Sequence, residues 1–338
     1  MTAITIPGRA DALHVLGKQI PEGMSAAGAM AHAGLSGWNV HKRPIETATL
    51  WTPDGGQPEL TDPLSVEGFY ATVRTNPATR GFEPLGVVGR TYVPIQNEAH
   101  VELLDTIVDE GGATFATAAE MRGGRDVFMS ILLPDTITVG GVDPIEKYIV
   151  AFNSHDGSSA FKLAVTDVRV FCANQQSAVM KGAASSWVVR HTSGSKGILS
   201  AARTALEIAF KYNAAFELEA ERMIQQTMTD AMFHELVSGL WAEPAETAAK
   251  SATTIAENRT AKLEELFHDA PTNRNIRGTV WAGYQAITEY VDHYAPAVKG
   301  RYARTEEEAR AIRTLTGDNA STLKNNAFRI SRDLVLAS

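Results

Sequence analysis

Apolar positions keep two different rhythms along this chain, and each predicts its own kind of element. From residue 195 onward, SKGILSAARTALEIAFKYNAAFELEAERMIQQTM sets Leu199, Leu206, Ala209, Phe210 and Phe216 on a helical period with almost no breakers, which predicts one long helix or two in line. Further helices are predicted over residues 230–240, 245–266, 278–294, 304–314 and 320–336. Between residues 114 and 172 the runs shorten, and strands are predicted at 114–122, 126–134, 147–153 and 160–172. The links RGGR, VGGVDP and SHDGSS are rich in glycine, which supplies the positive φ of tight turns, so these strands are expected to pair antiparallel. Val101, Leu104, Ile107 and Val108 put a helix ahead of the sheet, stopped at Gly111, and NQQSAVMKGAA reads as a helix behind it.

Before residue 85 the pattern breaks up among prolines and glycines. SAAGAMAHAG predicts a short helix capped by Ser25 and ended by Gly34, WTPDGGQPEL a hairpin-like turn around Asp54, Gly55 and Gly56, and residues 69–73 a returning strand. The expected fold class is therefore α+β: a central antiparallel β-meander flanked by helices, followed by a mostly α-helical C-terminal region. Three stretches result: a loop-rich segment at 1–84, an α+β core at 85–190 and a helical region at 191–338. No repeat period argues for a solenoid.

Composition adds limits. With 338 residues, 44% apolar and 21% charged, the chain is long enough for a substantial core and is neither disordered nor a disulfide scaffold. Cys172 stands alone, so an internal disulfide or a multi-cysteine zinc cage is excluded and a reducing compartment is expected. The start lacks a basic, then apolar, leader pattern and no run is long enough to span a bilayer; a cytoplasmic protein without a membrane partner is expected. The net charge of −8 argues against a molecule that coats nucleic acid with its whole surface. Residues 157–211 depart from that balance, with seven lysines and arginines against Asp167 and Glu207. Lys162, Arg169, Lys181, Arg190 and Lys196 there, with Arg122 and Arg125 from the preceding hairpin, are the candidate phosphate contacts. Trp187, Phe161, Phe171 and Tyr148 interleave with them, though strand aromatics usually belong to a core.

Candidate chemistry is sparse. His155 and Asp156 offer a base with an orienting carboxylate, or two metal ligands, while the same Asp156-Gly157 pair is a turn for backbone reasons alone. Cys172 has His155 and His191 as distant activators, yet an apolar strand end more often buries its thiol. Arg169, within an apolar alternation, faces either a buried acid or a groove. No phosphate-loop, dinucleotide, zincin or nucleophile-elbow spacing occurs, so no catalytic residue, metal or cofactor is expected.

The strings GLSGWNV, LGVVGRTYVPIQNEAHVELLDTIV, AAEMRGGRDVFMSILLP, NSHDGSSAFKLAVTDVRVFCANQQSAVM, VVRHTSG and GTVWAGYQAITEYVDH resemble the phage/plasmid-like family known as domain of unknown function 932, in order and over nearly the whole chain. The most specific pieces are Gln96-Asn97, His155 to Ser159, the R-V-x-C-x-N of Arg169 to Asn174 with Cys172 in it, and Arg190-His191-Thr192. The resemblance implies a phage, prophage or plasmid setting without an established activity. Separately, the order helix, β-meander, helix in residues 98–182 is similar to the single-strand annealing core of the Rad-fifty-two type. The expectation is a cofactor-free, homo-oligomeric protein that binds or anneals single-stranded DNA for recombination. The alternatives are a metal-dependent hydrolase built on His155, Asp156 and His191, and a phage factor that binds a host protein.

Overall fold

The computed structural model describes residues 11–48, 50–51, 59–60, 62–169, 172–174, 186–188, 195–242, 244–245 and 249–337. The amino-terminal stretch forms α1 (Ala12–Leu16), β1 (Lys18–Gln19), α2 (Ala26–His32), β2 (His41–Glu46), β3 (Leu50–Trp51), β4 (Glu59–Leu60), β5 (Ser65–Thr75) and β6 (Phe82–Gly89). A 3₁₀ turn then enters α3 (Val101–Gly111), which is followed by β7 (Thr114–Met121), β8 (Asp126–Leu132), β9 (Ile137–Val139), β10 (Asp143–Ser154), β11 (Lys162–Arg169), β12 (Cys172–Asn174) and β13 (Ser186–Val188). Helices complete the chain: α4 (Ser195–Gln225), α5 (Asp230–Leu240), α6 (Lys250–His268), α7 (Val280–Glu289), α8 (Glu306–Thr316) and α9 (Asp318–Ala337). The class is α+β, with antiparallel sheets and a helical C-terminal region.

The large sheet runs β1-β7-β8-β10-β11-β12, with β9 added to β10 and β13 to β11, and every pairing is antiparallel. A smaller sheet, β2-β5-β6, comes from the proline-rich part of the chain. β10 lies at the centre and is buried on both faces, so its Tyr148-Ile-Val-Ala-Phe152 run is unbroken rather than alternating. Ile149 and Ala151 join the main core with α3, α4 and α7; Tyr148, Val150 and Phe152 join a second core under α1 and α8. The main core extends from Ile20 to Phe328, so apolar packing joins all three of the expected stretches.

Most differences from the sequence pattern are local. α3 includes Gly111, and the left-handed residue that ends it is Gly112, at φ +58°. The VGGVDP link is a hairpin between β9 and β10; β9 has three residues, too few to show a period. The expected helix over NQQSAVMKGAA and the turn residues Asp54 to Gly56 lie outside the described residues. Ser25 caps α2 as expected, accepting from the Gly28 N–H at 3.2 Å.

Two polar contacts fasten the helical region. The Trp281 indole on α7 donates to Asp143 at the start of β10 (2.6 Å). On the far side, Lys324 of α9, 1% exposed, meets both carboxylate oxygens of Asp292 at 2.9 and 3.1 Å, and the Thr314 hydroxyl donates to the same carboxylate. No helix of the described residues is long and apolar enough to cross a membrane. Because a buried ion left without its partner is far costlier than the pair itself, Lys324→Met is expected to cost about 3–5 kcal/mol of unfolding free energy. The urea midpoint measures this, and replacing Asp292 by Leu as well should recover part of the loss.

Candidate functional site: an arginine-lined cleft between two sheets

The small sheet meets the large one at the end that carries the β7–β8 and β10–β11 turns, and glycines let the backbones close. A Cβ on Gly86 of β6 would stand 2.5 Å from Cβ of Asp156, and one on Gly157 would stand 3.1 Å from Val88. Gly157 also holds φ +81°, while the Asp156 carboxylate accepts from the Ser158 N–H at 3.0 Å; the Asp-Gly pair is a backbone turn that docks on β6. Gln96 and Asn97 lock the preceding chain to this junction. The Gln96 amide accepts from Val40 N–H and donates to Val40 C=O, at 2.8 and 2.7 Å. Asn97 donates to Leu35 C=O at 2.8 Å, which leaves its oxygen to accept from Nε2 of His155, also at 2.8 Å.

That bond places the ring proton of neutral His155 on Nε2. The residue is fully buried, with its ring 5.5 Å from that of Trp38. Burial pushes the imidazole down to about 4, the positive charge of Arg74 adds to the effect, and Asp156 opposes it. Asp156 faces elsewhere: its carboxylate accepts from the Ser154 hydroxyl at 2.7 Å and pairs with Arg122 at 3.2 Å. Burial alone would raise this carboxyl, but bonds from Ser158 and Ser154 and the charge of Arg122 hold it below its ordinary value. The two side chains thus serve separate partners and do not form a base with its orienting carboxylate. Among the described residues no group of three histidine, cysteine, aspartate or glutamate side chains is gathered for a metal.

Beside this junction lies a cleft of about 590 Å³, lined by both sheets and by the loop before α8. Arg74 of β5 forms its inner wall. Its guanidinium stacks 4.1 Å over Trp38, pairs with Glu83 of β6 at 2.9 Å and with Glu120 of β7, and lies against Gly124, where a Cβ would stand 2.5 Å from Nη1. Burial works against this cation, and Glu120 followed by Glu83 outweighs it, leaving Arg74 above its ordinary value. The RGGR turn forms the next wall, with Arg122, Gly123 and Gly124 all at positive φ. Arg122 is engaged by Asp126 and Asp156. Arg125 is not so engaged: its guanidinium sits 5.4 Å from the centroid of Tyr302, which Arg301 also approaches, at 5.8 Å. Among the described residues neither Arg125 nor Arg301 has a carboxylate within ion-pair distance.

The other expected phosphate contacts are placed as follows. Lys162 starts β11 opposite Phe152, its ammonium 5.4 Å over that ring, at the same end of the sheet as the RGGR turn. Arg169 ends the same strand, roughly 23 Å away at about 3.3 Å per residue, where it pairs with Ile145 and Cys172. Lys196 is in the first turn of α4, and Asn174 of β12 pairs with Asp167 of β11. Lys181, Arg190 and His191 lie outside the described residues.

A family model matches residues 84–319, a span that takes in β6 from Pro84 onward, the RGGR turn and the loop carrying Arg301 and Tyr302. The chain belongs to the family described as a domain of unknown function (DUF932). No curated protein and no solved structure matches this DUF932 chain, and the likeness to the Rad-fifty-two-type annealing core is not supported. Its cleft contains residues the sequence reading passed over: Arg74, Arg301 and Tyr302. A signal existed for the last two, since Lys299-Gly-Arg-Tyr-Ala-Arg304 flanks an aromatic ring with cations in a helix-free stretch. Arg74 gave none; its neighbours come from distant strands.

The depressed His155 value makes a signed prediction. From about pH 6.5 down to about 4 the unfolded chain binds a proton at this histidine that the folded chain refuses, so stability falls as pH drops through that window. The gap between the two values is worth about 3 kcal/mol. Urea midpoints measured across this range should fall less steeply in His155→Gln than in the wild type; parallel profiles would refute the assignment.

Proposed function

We propose that this protein is a non-enzymatic, homo-oligomeric binder of single-stranded DNA serving recombination in a phage or plasmid, and that the cleft is where it holds the strand. The observation that carries this reading is the cluster of Arg125 and Arg301 on the ring of Tyr302, two cations with no carboxylate of the described residues within ion-pair distance, beside an aromatic residue 37% exposed. Such a cluster offers both things an unpaired strand provides: phosphates to be neutralised and bases with a free π-face. Arg74 faces two carboxylates, Glu83 and Glu120, and so does Arg122, with Asp126 and Asp156, so among the described residues the cleft arginines left for a ligand are the two beside Tyr302. Annealing requires no acid, base or metal, only a strand held with its bases presented. The hydrolase alternative draws no support from His155, which is fully buried, with Nε2 committed to Asn97 and the lone-pair nitrogen Nδ1 enclosed in the interior.

Fluorescence anisotropy with a labelled oligothymidylate tests the reading. Wild-type affinity is expected to fall steeply between about 50 and 200 mM salt, and the Arg125→Ala/Arg301→Ala double variant should bind more weakly with a log–log salt slope shallower by about 1.4. Absence of binding at the lower salt, or an unchanged slope in a variant whose circular dichroism matches the wild type, would overturn it.

A further inference from the structure

The cleft is too small to hold a strand by itself. At about 590 Å³ it is the size of a small-molecule pocket, roughly 300–1,000 Å³. Proteins that bind single strands without sequence preference engage about 4–16 nucleotides per module, so most of a bound strand must lie on a surface outside the cleft. Three of the residues lining the cleft indicate which surface. Ala71, Pro84 and Val87 share one face of the small sheet: Ala71 lies opposite Val87 and Arg43, and Pro84 opposite Val73, itself opposite His41. Farther along that face Phe82 lies opposite Thr75 and is 59% exposed, with Val87 61% exposed between it and the open sheet end.

Phe82 has the surroundings of a stacking platform rather than of a core residue turned outward. The Arg43 guanidinium lies 4.2 Å over its ring and His41 approaches its edge at 6.0 Å, while Arg43 donates to Nε2 of His41 at 3.2 Å. No carboxylate of the described residues lies within ion-pair distance of Arg43. The pattern at Tyr302 therefore recurs: an exposed ring, an arginine with no acid partner, and continuity through Ala71, Pro84 and Val87.

We propose that a single-stranded polynucleotide leaves the cleft across the outer face of the β2-β5-β6 sheet, with a base stacked on Phe82 and Arg43 neutralising the adjoining phosphate. This extends the reading of the cleft and depends on it. The strand thus has two anchor points, Tyr302 with Arg125 and Arg301 at one end and Phe82 with Arg43 at the other. Only oligonucleotides long enough to reach both gain from the second.

The test compares labelled oligothymidylates of increasing length on the wild type, Phe82→Ala, Arg43→Ala and Phe210→Ala, the last altering an exposed aromatic on α4, a helix that lines neither the cleft nor the small sheet. Phe82→Ala is expected to weaken binding of the longer oligonucleotides about tenfold and of the shortest hardly at all. Arg43→Ala should act likewise and make the salt slope shallower, Phe210→Ala should leave affinity unchanged, and melting temperatures should match the wild type. Wild-type binding that Arg125→Ala/Arg301→Ala weakens but neither Phe82→Ala nor Arg43→Ala touches would overturn the path while leaving the cleft as the site. No wild-type binding at any length would overturn both.

Discussion

One guanidinium, that of Arg74, determines how the two sheets meet. It is buried between β5 and the end of β7, and a buried cation persists only where anions and hydrogen-bond acceptors replace its lost water. Glu83 from its own sheet and Glu120 from the other supply them, and Trp38 covers the flat face. These partners come from separate strands, so satisfying the charge fixes the distance and angle between the sheets. The cleft is the space left over. Its inner wall sets one cation, Arg74, against two carboxylates, and the lining arginines with no carboxylate of the described residues within ion-pair distance, Arg125 and Arg301, lie farther out.

The rest of the junction follows from the same close approach. Gly86 and Gly124 are glycine because a side chain at either would occupy the volume of Asp156 or of the Arg74 guanidinium. His155 is held neutral because it lies buried within reach of that cation, and its remaining proton is directed to Asn97. Asn97 and Gln96 then tie residues 35 and 40 to the turn. The most distinctive polar strings of the family resemblance, Gln96-Asn97 and His155 to Ser159, thus meet each other in space and act as a fastening. Polar groups buried in this way are demanding: each is satisfied by one specific partner, and substitution of either leaves the other unpaired.

Rhythm in the chain made the elements legible. α5 has the bounds its pattern predicts, α4 is one long helix where the pattern allowed one or two in line, and Gly157 takes the positive φ expected of the Asp-Gly turn. β9 escaped because three residues carry no period, and α7 was extended through Tyr294 because a π-turn over Tyr290–Tyr294 preserves the apolar spacing after the α-helix ends at Glu289. Lys162 and Arg169 are close in sequence, yet an extended strand separates them by its full length, whereas Arg125 and Arg301 are remote in sequence and share one ring.

Local pattern by itself therefore determined the α+β class, the antiparallel order of the central strands and the helical C-terminal region, because periodicity and turn chemistry are properties of neighbouring residues. The site was decided by the tertiary structure. A cleft between two sheets depends on which carboxylates reach which cations across the junction, and those pairings join residues such as Arg74 and Glu120 that lie on different strands. Cations left without an acid beside an exposed ring become recognisable only after every other charge has found its partner, and that matching takes place in three dimensions.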